Sequence, residues 1–174
     1  MKKLLLPALA LSAAIFAAPA FAQDAPGQPD IYGGLAVGTH DLGTPGAADD
    51  NGIIYGTYLG VDVPVSGSVF VGAEANYNFG NSAIDREYGI TARIGTEISP
   101  GTKLFVRGGY QEVDFDLRRF TGLPPVAGAD DTDGDYLVGA GADIAVSNGL
   151  GLRLAVDTIA FDTIRATAGV TFHF

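Results

Sequence analysis

Nine ionisable side chains, Asp62, Glu74, Arg93, Glu97, Arg107, Asp143, Arg153, Asp157 and Arg165, fall inside stretches otherwise made of aliphatic, aromatic and small residues. Each shares its two-residue phase with glycine, threonine and alanine rather than with the neighbouring valines and leucines. Side chains that alternate at period two lie on opposite faces of a strand, so the charges belong to one face and the apolar residues to the other. A charge taken from water without a partner is costly, whereas carboxylate–guanidinium pairs satisfy each other through bidentate hydrogen bonds. The chemistry expected of this set is ion pairing. Counting along the strands puts Glu74 level with Arg93, sets Arg107, Asp143 and Arg153 at one height, and leaves Asp157 and Arg165 higher.

Other chemistries are weaker. The stretch "AGADDTDGDY" gathers Asp130, Asp131, Asp133 and Asp135 beside a glycine, a composition that suits a hard cation. The glutamate that completes a calcium loop is missing, so a solvated acidic loop is expected; Asp131, Asp133 and Asp135 are the residues a metal would use. Acyl-transfer chemistry needs an activated nucleophile, usually serine with histidine. Only His40 and His173 are present. His40, at the top of its strand, is a loop-end histidine expected to be solvated; Ser82 and Asp85 in the next long loop make an outer-leaflet site geometrically conceivable, but no flanking motif supports it. Gly-rich phosphate loops and zinc-spaced ligands are absent, and there is no cysteine. No cofactor and no catalysis are expected.

The elements that must position these charges begin after residue 22. "MKKLLLPALALSAAIFAAPAFA" has a basic start, an apolar run and a small-x-small end, the pattern of a secretory signal peptide cleaved after Ala22. Residues 23–29 read as a short periplasmic leader and residues 30–174 as a single β domain. Loss of Lys2 and Lys3 takes the formal charge from −10 to −12 and leaves Lys103 as the one lysine. So acidic a chain excludes nucleic acid as a partner held by a basic patch. Eight alternating runs follow, at 30–40, 52–63, 68–79, 87–98, 103–113, 135–146, 150–160 and 164–174. Each has about the 9–11 residues with which a tilted strand crosses a bilayer. Tight turns ("PVSG", "SPGT", "SNG") alternate with longer connections around 41–51, 80–86 and 114–134, while the last connection, near Asp162, is short. An even strand count puts both ends of the domain on the tight-turn side.

Alternation alone leaves open which face is inside: a soluble barrel buries its apolar face, a membrane barrel presents it to lipid. The apolar face here is aliphatic in the middle, with Tyr55, Tyr77, Phe79, Tyr88, Tyr110 and Tyr136 collected near the long-loop ends and Phe172 and Phe174 at the tight-turn end. Aromatics sorted to the two edges of an aliphatic band are what membrane interfaces select. The opposite face is rich in glycine, as the narrow interior of an eight-stranded barrel requires. The expectation is an all-β, eight-stranded antiparallel up-and-down transmembrane β-barrel. In the fifth run the apolar phase changes after Tyr110, giving Val113, Phe115 and Leu117, which fits a strand continuing past the membrane or a bulge.

Signal peptide, eight alternating strands, long-loop-end tyrosines and the terminal "VTFHF" together resemble the small outer-membrane barrels of the outer-membrane-protein-A and opacity type. The resemblance covers nearly all of the chain after residue 22. It implies a bacterial outer-membrane location, a monomer in contact with outer-membrane lipid and lipopolysaccharide, and insertion by the barrel-assembly machinery. In that family alternating aromatics ending in phenylalanine serve as the assembly signal, which implies that role for Val170, Phe172 and Phe174. The peptidoglycan-binding domain of larger members is expected to be absent. Two further readings bear on function. Arg118 and Arg119, in the loop stiffened by "GLPPV", could touch lipopolysaccharide phosphates. The charged face either fills the lumen as a fixed network, the reading favoured by so narrow a barrel, or opens as a narrow pore for small solutes. A lipid-A-modifying enzyme is the least supported alternative.

Overall fold

The computed structural model describes residues 27–41, 51–81, 84–115 and 132–174. Eight strands, β1 (Asp30–Asp41), β2 (Asn51–Ser66), β3 (Val69–Gly80), β4 (Ile84–Ser99), β5 (Thr102–Phe115), β6 (Thr132–Ser147), β7 (Leu150–Ile159) and β8 (Thr163–His173), pair antiparallel in chain order. The last closes on the first, from Tyr32 opposite His173 to Asp41 opposite Ile164. Closure leaves no unpaired edge, so the strand ending in Phe174 is not an aggregation template. Among the described residues no helix is found. At about 3.3 Å per residue, 12 residues tilted by about 45° rise roughly 28 Å, close to the thickness of a hydrocarbon layer.

The three tight turns share one device. Gly67, Gly101 and Gly149 have φ of +54°, +76° and +74°, and beside each turn the pairing slips by one residue, at Pro64/Ser66, Glu97/Ser99 and Ala145/Ser147. A glycine at positive φ next to a bulge matches the turn to the right-handed twist of its strands. Each turn is also stitched to the next hairpin. The Glu97 N–H donates to the Ser68 carbonyl, Ala145 N–H to Gly101 and His173 N–H to Gly149, at 2.7–3.0 Å. The fourth, β7–β8, turn spans residues 160–162, one residue more than the others, and has no glycine: Ala160 and Phe161 sit at φ +54° and +63°. L-residues held there cost about 1–3 kcal/mol each.

Five strands, β1, β2, β4, β5 and β6, run longer than the alternation alone indicates. β4 begins at Ile84, so only residues 81–83 separate it from β3 and the expected long connection at 80–86 is short. Backbone hydrogen bonds continue where the side-chain alternation has already lost its contrast.

Facing follows the membrane pattern. Leu35, Ile90, Ile94, Val106, Leu152, Leu154 and Val156 are about half or more exposed on the outside. Asp62, Glu74, Arg93, Arg107, Asp143, Arg153, Asp157 and Arg165 are all less than 9% exposed on the inside. The interior is not lined by small residues and charges alone. Tyr32, Tyr58, Phe70 and Phe105 also point inward, and glycines opposite make room for them: a Cβ on Gly34 would strike the Tyr58 ring, and one on Gly95 or Gly141 would meet Phe70 or Phe105.

Near the loop ends of β4 and β5 the polarity of the two faces inverts. Ile54, Ile84, Val113, Leu137 and Ile159 form a buried apolar cluster inside the barrel. On the outside of two of these strands, β4 and β5, stand Arg86, Glu112 and Asp114, with Arg86 Nε donating to Asp114 Oδ2 at 2.5 Å. The apolar change in β5 after Tyr110 is therefore no slip of the strand: Val113 keeps the inward phase of Arg107 and Gln111, and β5 pairs with β6 without a break up to Asp114. Strands that have left the lipid must bury their apolar side inward, as soluble barrels do. The bulge in this region lies across the ladder, at Ile84/Arg86 of β4.

The charged lumen as candidate functional site

The inward charges form one connected chain of alternating sign. At the tight-turn end, Lys103 Nζ of β5 donates to Asp30 Oδ2 of β1 at 2.7 Å and lies 3.6 Å from Asp62 of β2. Asp62 receives two hydrogen bonds from Arg93 of β4, at 2.8 and 2.7 Å. Arg93 Nη2 also donates to Asp143 of β6 at 2.9 Å. Asp143 is gripped by Arg153 of β7 at 2.5 and 2.8 Å. Arg153 Nη1 reaches Glu74 of β3, which also accepts from Arg107 Nη1 of β5 at 2.7 Å and from the Tyr32 hydroxyl at 2.9 Å. Arg107 holds Asp157 of β7 by two bonds of 2.7 Å, and Arg165 of β8 donates to the same carboxylate at 3.0–3.1 Å. Arg165 Nη1 then donates to Glu87 of β4 at 2.6 Å, and Glu87 is shared with His40 of β1 (2.9 Å) and the Asn78 amide (3.0 Å). Every strand contributes at least one member.

Local sequence explains why the chain closes. Each arginine emerges at an inward position flanked by residues too small to block it, such as Gly95 beside Arg93, Gly109 beside Arg107, Gly151 beside Arg153 and Gly169 near Arg165. Long guanidinium side chains cross the lumen instead of pairing only with the adjacent strand. Aromatic rings then clamp the planes: the Arg93 guanidinium lies 4.3 Å from the Phe105 centroid, and that of Arg153 lies 4.5 Å from Tyr58. Cation–π contacts of desolvated arginine add to the electrostatic hold.

Several expected neighbours are rearranged. Arg93 and Glu74 do form an ion pair, at 3.6 Å, but the hydrogen bonds of Arg93 go to Asp62 and Asp143, and Glu74 accepts from Arg107 and Arg153. Glu97 is exposed at the mouth, where it accepts from the Gly101 N–H at 2.9 Å, outside the network. Arg107 and Asp143, expected at one level, bond to different partners. His40 is not a solvated loop residue facing the outer leaflet. It is 1% exposed inside the barrel, between Glu87 and the Thr163 hydroxyl at 3.3 Å. Asp85 is exposed and Ser82 lies outside the described residues, so no Ser–His–Asp arrangement is brought together among the described residues. Glu87 and Tyr32 were not singled out in the sequence. Glu87 shares the phase of Arg93, which is the signal that identifies it, whereas Tyr32 has an inward phase but resembles the girdle tyrosines in type.

The outer belt spans five strands in two groups of touching rings. Tyr55 and Phe79 lie 6.0 Å apart between ring centroids, Phe79 and Tyr77 5.2 Å, Tyr77 and Tyr88 6.0 Å, and Tyr110 and Tyr136 6.2 Å. Val170, Phe172 and Phe174 face outward at the tight-turn end of β8, and the Phe174 N–H donates to the Ile31 carbonyl across the closing seam at 2.9 Å. Among the described residues there is no group of three or more ligands that could hold a metal. Asp135 accepts from the Tyr136 N–H at 2.6 Å; Asp131 and the Asp133 side chain, with Arg118 and Arg119, lie outside the described residues.

A closed antiparallel barrel with a lipid-compatible exterior, aromatic edges and a polar interior defines a transmembrane β-barrel. Residues 8–174 match the family of outer membrane protein beta-barrel domains, and the chain belongs to that family. No curated protein matches. Among solved structures, the N-terminal β-barrel domain of Pseudomonas aeruginosa OprF aligns at 14% identity and a TM-score of 0.59, covering 85% of this chain and 99% of that one. Ail, the attachment invasion locus protein of Yersinia pestis, aligns at 17% identity and a TM-score of 0.55, with the same coverage. Neisserial surface protein A aligns at 12% identity and 0.52, covering 84% of this chain and 97% of that one. At these identities the likeness is one of fold. With the family, it places the chain in the bacterial outer membrane.

Proposed function

We propose that this protein is a monomeric, non-catalytic structural barrel whose lumen is a fixed brace rather than a passage. The observation that carries the reading is the unbroken ion-pair chain from Asp30 to His40, roofed by Ile54, Ile84, Val113, Leu137 and Ile159. A pore needs a continuous wet path. Here a small polar space of about 30 Å³ beside Glu74, Asn76, Arg107, Arg153 and Arg165 has room for a few waters among the ion pairs that cross the lumen. Opening a path would mean parting several mutually shared pairs and wetting an apolar roof. With its interior committed to bracing, the barrel meets its surroundings through its outer wall and its loops. Its role is in envelope integrity or surface contact, with lipid and lipopolysaccharide as its immediate partners.

Export by a signal peptide cleaved after Ala22, and recognition of Val170, Phe172 and Phe174 by the assembly machinery, belong to the same proposal. The outward alternation of those three residues supports it. The test is single-channel recording of refolded, compact protein in a planar bilayer. Silence over a wide voltage range is expected. Steady discrete openings would refute the fixed brace and make the narrow-pore reading the correct one. A change in lipid-A acyl chains on expression would refute the non-catalytic assignment.

A further inference from the structure

The β7–β8 turn combines two features that oppose each other in water. Ala160 and Phe161 both occupy positive φ, and the Asp162 N–H returns to the Ile159 carbonyl at 3.3 Å, the arrangement of a type I′ turn. Such turns favour Asn–Gly, because most L-residues are strained there. The turn instead carries a phenylalanine that is 75% exposed, more than any other large apolar side chain described. An aqueous turn would gain twice by losing it, through relief of the backbone and removal of apolar surface from water.

Register supplies the missing benefit. The Ala160 N–H donates to the carbonyl of Tyr136 at 3.0 Å, so this turn lies at the height of the tyrosine belt, beside its last member. The belt runs from Tyr55 on β2 to Tyr136 on β6. β7 and β8 carry no aromatic residue at that height within their strands, where Thr158, Ile164 and Ala166 have the outward phase. Phe161 stands at the next place along the belt, above the outward column of Leu152, Leu154, Val156 and the half-buried Thr158.

We propose that Phe161 is a lipid-binding residue, seated at the outer-leaflet interface, that carries the aromatic belt onto the β7–β8 side. The inference rests on the membrane-spanning reading of the barrel. The occupant it faces is lipid, because the turn continues a wall whose aliphatic column and neighbouring belt already face lipid. An aromatic ring at the polar–apolar boundary is favoured there by the same selection that places the tyrosines.

The chain contains no tryptophan, so Phe161→Trp is a single-probe protein. The experiment compares it with Tyr136→Trp, both refolded in phosphatidylcholine vesicles whose acyl chains carry bromine either near the glycerol or near the chain end. The expected result is blue-shifted emission from both proteins, quenched more strongly by the shallow bromine. Water-like, unquenched emission from Phe161→Trp beside a quenched Tyr136→Trp would overturn the inference while leaving the membrane reading intact. Blue-shifted but unquenched emission would mean shielding by protein, such as a second copy, and would overturn it too. Failure of both probes to be quenched would overturn the membrane reading together with the inference. Phe161→Gly supplies an independent check. It fits the turn better, so it should fold at least as well in detergent micelles yet resist urea less than the parent in vesicles; a gain in both media would refute an anchoring role.

Discussion

Replacing Glu74 by alanine tests whether the lumen network braces the barrel. Glu74 is 3% exposed and accepts hydrogen bonds from Arg107, Arg153 and Tyr32. Removing one partner from a buried ionic cluster costs about 3–5 kcal/mol, mainly because the remaining charges are left uncompensated. Two features place this case at the low end. Arg107 keeps its two bonds to Asp157, and Arg153 keeps its two bonds to Asp143. A loss of about 3 kcal/mol is therefore expected, which at a urea slope of about 2 kcal/mol per molar lowers the unfolding midpoint by roughly 1.5 M. The assay is urea titration of the refolded barrel in lipid vesicles, followed by the heat-sensitive gel mobility of compact barrels. Asp85→Ala, on an exposed residue, serves as the control and should stay within about 0.5 kcal/mol of the parent. Glu74→Gln should recover little, since the amide nitrogen would point a donor at a guanidinium. Equal midpoints for Glu74→Ala and Asp85→Ala would refute the bracing argument.

Three further outcomes follow from facing and packing. Leu137→Ala, which empties a fully buried site in the apolar roof, should cost about 2–5 kcal/mol in the same titration, and a value near zero would mean the roof is not packed. Leu154→Arg puts a charge on a lipid-facing residue midway along β7 and should reduce membrane stability by about 2–4 kcal/mol; normal stability in vesicles would contradict the assignment of faces. Gly109→Ala should be destabilising by about 1–3 kcal/mol, since its Cβ would run into the Ile90 carbonyl oxygen of β4, whereas the adjacent Gly108→Ala has its nearest contact at 3.7 Å and should be neutral or slightly stabilising. Equal effects of these two neighbours on the urea midpoint would remove the close-approach explanation.

Much of the fold is written in period-two alternation, which acts locally and is therefore readable one strand at a time. Leu152, Leu154 and Val156 against Arg153 and Asp157 already separate lipid from lumen. What was missed lies where the environment changes along a strand. Val113 looks like a phase error when its neighbours are assumed to remain in lipid, and Ile84 looks like part of a loop. Val113 is a regular inward residue once the outside has become water, and Ile84 is turned inward by the bulge at Ile84/Arg86. His40 has the inward phase, but a polar residue at a strand end reads as a loop residue unless the partner arriving from β4, Glu87, is known.

The sequence by itself determined the strand count, the facing of most residues, the height of the tyrosine belt and the membership of the lumen in Glu74, Arg93, Arg107, Asp143, Arg153, Asp157 and Arg165. These follow from alternation and from the chemistry of burying charge, which are properties of each strand. Only the tertiary structure decided who pairs with whom. An arginine side chain is long enough to pass its nearest carboxylate and reach across the lumen, so Arg93 joins Asp62 and Asp143 while Arg107 and Arg153 meet at Glu74. Those partners come from strands up to 79 residues apart in sequence, and they become neighbours only when closure of β8 on β1 brings all eight walls around one axis.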